Sequence, residues 1–135
     1  MISKSSSPTM TKRIAARFVK KLSPGDWVGL TGELGSGKTT FVQGMAEGLG
    51  ISPRLVTSPT FTLVNDYKNL IHVDLYRIED PREIETLGLE DYWNKIVVIE
   101  WVEKLNRVGA QFIAPTDHQV RFKIVSDQER EIEII

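Results

Sequence analysis

The chain has 135 residues and no cysteine, and its 17 Lys and Arg stand against 18 Asp and Glu for a formal net charge of −1. That length suits one domain that buries roughly two thirds of its unfolded surface. The lack of cysteine excludes disulfides and cysteine-ligated zinc, and the balanced charge excludes broad electrostatic binding to nucleic acid or an anionic membrane. No apolar run is long enough for a signal core or a membrane span, so a soluble, cytoplasmic protein is expected.

The first nine residues, MISKSSSPT, are polar and serine-rich, and the expectation is a flexible tail ahead of a single domain over 10–135. From Thr11, Ile14, Phe18 and Leu22 recur every fourth residue with Ala15 and Val19 between them. This amphipathic helix is stopped by Ser23-Pro24-Gly25. WVGLT at 27–31 is a short β-prone run that ends at a cluster of glycines. Phe41, Met45 and Leu49 then restore helical spacing, Gly50 supplies a left-handed stop, and Gly44 and Gly48 inside that helix suggest close packing on a sheet. FTLVNDY and LIHVDLYR, separated by Lys68-Asn69, predict a hairpin. PREIETLGLEDYW predicts a short helix capped by Asp80 and broken near Gly88. IVVIEW is apolar enough for a strand buried on both faces, and HQVRFKIV with REIEII predicts a terminal hairpin.

The glycines between strand and helix carry the chemistry. Gly32 to Thr39, GELGSGKT, fits G-x-x-x-x-G-K-[ST], in which glycines curl the backbone so that successive N–H groups face one anion. The positive end of the following helix adds to the attraction. Glu33, Leu34, Gly35, Ser36, Gly37, Lys38, Thr39 and Thr40 are thus the expected nucleotide cradle, Lys38 reaching the β- and γ-phosphates and the Thr39 hydroxyl holding Mg²⁺.

Hydrolysis also needs a carboxylate for the metal and an acceptor that positions water. Strand alternation in LIHVDLYR puts Ile71, Val73 and Leu75 on one face and His72, Asp74 and Tyr76 on the other; by the same alternation Arg77 falls with the apolar set. Glu100 ends IVVIE at the carboxyl end of a buried strand, where open α/β sheets place ligands. Glu100 suits the Mg²⁺ shell and Asp74 suits water positioning, although the two roles could be exchanged. His72 and Asp74 could form half of a metal site, but no third ligand stands at sensible spacing. Trp101 is expected near the nucleotide.

GELGSGKTTF at 32–41, SPTFTLVNDY at 58–67, HVDLYR at 72–77 and VIEW at 98–101, in this order and spacing, resemble the TsaE family (formerly YjeE). These are bacterial P-loop ATPases needed for the threonylcarbamoyl modification of adenosine 37 in tRNA. Glu33 stands where the family commonly has Asp. The resemblance implies an α/β P-loop NTPase fold, a single three-layer domain whose mixed sheet includes antiparallel hairpins. It implies ATP and Mg²⁺ as cofactors and a switch over Ser58 to Thr62, with Thr60 sensing the γ-phosphate. It also implies TsaB and TsaD as partners, with tRNA reached only through their complex and no membrane involved.

Three rival readings share the phosphate loop. A small-molecule kinase needs an arginine-bearing lid, for which Arg77 is a lone candidate. A GTPase needs Asn-Lys-x-Asp after a strand, whereas Asn94-Lys95 precedes one and Val97 stands where Asp is required. A nucleotide-dependent binding module without hydrolysis is the third.

Overall fold

A computed structural model of the chain describes residues 1–57, 63–104 and 117–135. The described residues form one seven-stranded mixed sheet: β1 (Ile2–Ser5), β2 (Trp27–Thr31), β3 (Val64–Asp66), β4 (Leu70–Asp74), β5 (Ile96–Glu100), β6 (His118–Ile124) and β7 (Arg130–Ile134), in the spatial order β1-β7-β6-β2-β5-β4-β3. The four inner strands β6, β2, β5 and β4 run parallel, while β3 and β7 are antiparallel to their neighbours.

Two helices, α1 (Pro8–Val19) and α2 (Lys38–Gly48), pack on one face of the sheet. Phe18, Phe41 and Met45 meet Val28, Leu30, Val98 and Val120 there. The other face buries Ile71, Val73, Val97 and Ile99 beneath α3 (Pro81–Glu85) and a 3₁₀ turn over Leu89–Tyr92. This is the expected three-layer α/β domain, and β4 and β5 are buried along their whole length because helices or turns cover both sides.

Residues 1–9 are a correction to the sequence reading, since they are structure and not a loose tail. Ile2–Ser5 pairs with β7 in antiparallel register, Ile2 opposite Glu133 and Ser5 opposite Arg130. The ladder is made by backbone groups, so a polar edge strand needs no apolar pattern to form. Ser7 then caps α1, accepting from the Met10 N–H at 3.1 Å, and Pro8 occupies the first turn. The helix therefore starts three residues before Thr11 and ends at Val19; Leu22 follows in a tightened turn, its N–H donating to the Val19 carbonyl at 3.1 Å.

Gly44 and Gly48 do pack closely, but against α1 and not the sheet. A Cβ built on Gly44 would lie 2.7 Å from the Ala15 Cβ, and one on Gly48 would lie 2.9 Å from the Ala16 carbonyl oxygen. Gly50 closes α2 as expected, at φ 78°, with the Ile51 N–H returning to the Ala46 carbonyl at 2.8 Å. In the β3–β4 hairpin the Asp66 carboxylate accepts the Lys68 N–H at 2.7 Å, which supports the turn where no glycine is present. Phe61 and Thr62, expected in its first strand, lie outside the described residues. The strand alternation of β4 stops at Asp74, so Ile78 takes the next apolar place and Arg77 is exposed on the turn, not on the apolar face.

Candidate nucleotide and magnesium site

The loop over residues 32–37 runs from the end of β2 into α2, at the carboxyl edge of the parallel strands. Gly35 and Gly37 have φ of 81° and 107°, and a Cβ on either would meet nothing within 4 Å. Glycine is thus required there by backbone conformation, and the space beside the loop is open. Gly37 caps α2 without any side-chain hydrogen bond, so the helix's first N–H groups remain available to an anion. The Ser36 hydroxyl is buried and has no hydrogen-bond partner among the described residues.

Lys38 is only 5% exposed, and its ammonium donates to the carbonyls of Gly32 at 2.6 Å and Glu33 at 2.9 Å. It also sits 4.1 Å from the centroid of the Trp101 ring. Burial pulls its pKa below the ordinary lysine value, an effect opposed by the negative charges of Glu100, Glu103 and Asp74. Glu33 contributes its backbone carbonyl while its side chain is exposed, which agrees with a side chain that can vary.

Asp74 and Glu100 are register partners on parallel strands β4 and β5, so both carboxylates lie on the α2 side of the sheet. Each is almost fully buried, at 5% and 3% exposure. The Thr39 hydroxyl donates toward Glu100, 3.1 Å from Oε1 and 3.0 Å from Oε2. Asp74 Oδ1 accepts the Tyr76 N–H at 2.9 Å. Together with Tyr76 and Trp101, whose ring centroids lie 5.0 Å apart at a tilt of 46°, these groups line a pocket of about 350 Å³ that also includes Leu34, Gly35, Gly37 and Thr40.

The structure therefore brings Lys38, Thr39, Thr40, Asp74 and Glu100 to one cavity. Thr60 and the rest of the 58–62 segment lie outside the described residues. Two features were missed in the sequence. The His72 Nε2 lies 2.5 Å from Glu100 Oε2, a contact that requires the β4–β5 register to be known. Arg130 reaches the Gly35 carbonyl at 3.2 Å from the β6–β7 hairpin, 95 residues away along the chain. Asn94-Lys95 lies at the opposite end of β5 from Glu100, away from the loop, which removes it as a base reader.

A family model described as threonylcarbamoyl adenosine biosynthesis protein TsaE matches residues 5–132. The chain belongs to the TsaE family. It is 42% identical over 132 residues to the tRNA threonylcarbamoyladenosine biosynthesis protein TsaE of Bacillus subtilis, covering 93% of this chain and 79% of that one. To the Haemophilus influenzae protein of the same name it is 43% identical over 112 residues, 78% of this chain and 67% of the relative. The crystal structure of Bacillus subtilis YdiB superposes with a TM-score of 0.77 at 33% identity, covering 98% of this chain and 82% of that one. The fold is thus that of a solved relative.

Proposed function

We propose that this TsaE-family chain binds ATP with Mg²⁺ in the loop pocket and hydrolyses it to ADP and phosphate in support of tRNA threonylcarbamoyladenosine formation, acting on the TsaB–TsaD complex. The observation that carries the reading is the convergence of the Thr39 hydroxyl and the Glu100 carboxylate beside the Lys38 ammonium. A hydroxyl and a carboxylate are the hard oxygen donors that magnesium takes, and Glu100 and Thr39 are the residues that would hold it. Held there, the ion would supply positive charge to offset the negative charge that develops on the phosphates.

The chain's own groups account for the remaining roles. Lys38 exchanges its hydrogen bonds to the Gly32 and Glu33 carbonyls for phosphate oxygens, staying within the loop as it does so. Asp74, buried beside Glu100, is placed to accept a hydrogen bond from the attacking water. A second cavity of about 240 Å³ shares Gly35, Gly37 and Thr40 with the first and continues toward Thr11 and Arg130; in this reading the nucleoside half of ATP would lie there. Thr60 and its segment sense the γ-phosphate in this reading.

No arginine lines the main pocket among the described residues. A phosphoryl-transfer site without one lacks a group that commonly raises turnover by about 10³–10⁵. TsaB and TsaD are the partners expected to complete the site, and tRNA is reached through them, in keeping with a net charge of −1. No described helix is long and apolar enough to cross a membrane, and a cytoplasmic location is part of the same proposal. Calorimetry with ATP and ADP, in magnesium and in EDTA, tests the nucleotide assignment. Saturable binding that magnesium strengthens is expected, and no binding under either condition would overturn it.

A further inference from the structure

His72 is fully buried on β4. Its Nε2 lies 2.5 Å from Glu100 Oε2, while Nδ1 is buried with no hydrogen-bond partner among the described residues. A proton on Nδ1 would be a buried donor without an acceptor, so the proton belongs on Nε2, where the carboxylate accepts it. Glu100 also lies within the electrostatic reach of Lys38, which nevertheless gives its hydrogen bonds to the Gly32 and Glu33 carbonyls and not to Glu100. The carboxylate's own partners are instead the Thr39 hydroxyl and the His72 ring.

We infer that His72 is a positioning residue for Glu100: its Nε2–H anchors Oε2, keeps the carboxylate turned toward Thr39 and away from Lys38, and leaves Oε1 for the cation. The inference rests on the proposed magnesium site and specifies how that site is kept open. Without the anchor, Glu100 is free to pair with Lys38, which would withdraw a ligand from the metal and the ammonium from the phosphates together. Outer-shell hydrogen bonds to metal ligands typically change metal affinity by about 10- to 100-fold when removed.

The test uses Mn²⁺ binding to the ADP complex, read by electron paramagnetic resonance, with ADP binding in EDTA measured alongside. His72→Phe keeps the ring and loses the donor; Mn²⁺ affinity is expected to fall about 10- to 100-fold while ADP affinity in EDTA changes by less than about threefold. His72→Gln, whose amide nitrogen can occupy the Nε2 position, is expected to recover most of the loss. Wild-type Mn²⁺ affinity in His72→Phe, or a folded His72→Gln no better than His72→Phe, overturns the inference while the nucleotide site stands. In the unsubstituted protein, ¹⁵N spectra are expected to show His72 protonated at Nε2 and bare at Nδ1, and a proton on Nδ1 overturns the inference even if neither variant folds. Failure of Mn²⁺ and ADP to bind the unsubstituted chain overturns the proposed function and this inference with it.

Discussion

Replacing Gly44 by alanine sets two opposed effects against each other, and the structure decides between them. Inside a helix, alanine is favoured over glycine by about 1 kcal/mol. Here the added methyl would lie 2.6 Å from the Lys12 Cα and 2.7 Å from the Ala15 Cβ, with the Lys12 carbonyl oxygen closer still, where ordinary contact begins at 3.4 Å. Those atoms belong to the α1 backbone or its first side-chain carbon, so no flexible side chain can retract, and α1 has to move off α2. Overpacking of this kind costs about 1–3 kcal/mol, and rigid backbone neighbours favour the upper part of that range. The expected net loss is about 1–2 kcal/mol. A lower urea midpoint with an unchanged slope, followed by circular dichroism, would show it, together with a melting temperature lower by about 3–5 °C per kcal/mol for a chain of this length. A Gly44→Ala midpoint at or above that of the wild type would refute the packing argument, because helix propensity would then have won.

Lys38→Ala is expected to abolish ATP and ADP binding with the fold intact, since among the described residues the ammonium's hydrogen bonds go to carbonyls of its own loop; equal affinity by calorimetry would remove the loop assignment. Asp74→Asn and Glu100→Gln should each stop phosphate release while at least one still binds nucleotide, and wild-type turnover by both would sink the proposed site. Ser7→Ala removes the acceptor for the Met10 N–H and should destabilise the chain by about 1 kcal/mol in urea unfolding, an effect that a disordered segment could not produce.

Much of the site was legible because its signals are local. Gly35 and Gly37 report a backbone conformation that few other residues adopt, and a run such as IVVIE reports burial on both faces, so the loop and the strand end bearing Glu100 could be found together. What the sequence concealed depends on pairings distant along the chain. β1 is held by β7 at the other end of the chain, and its serine and lysine side chains carry no trace of that ladder. The helical glycines signalled a close neighbour but not which one, since α1 and the sheet would ask the same of Gly44. Strand alternation assigns Arg77 to the apolar face, but β4 ends three residues earlier, at Asp74, where the chain leaves the sheet and turns. The link from His72 to Glu100 needs two strands 28 residues apart to be set in register.

The proposed activity is that of a magnesium-dependent ATPase whose site is completed by partner proteins. Phosphate release by the purified chain, measured alone and then with TsaB and TsaD at matched ATP and magnesium, tests it most directly. Slow release alone and a marked rise in the mixture, lost again in Lys38→Ala, is the predicted result. Fast release by the isolated chain that TsaB and TsaD leave unchanged would overturn the proposed partner dependence, and no release under any condition would overturn the proposed activity.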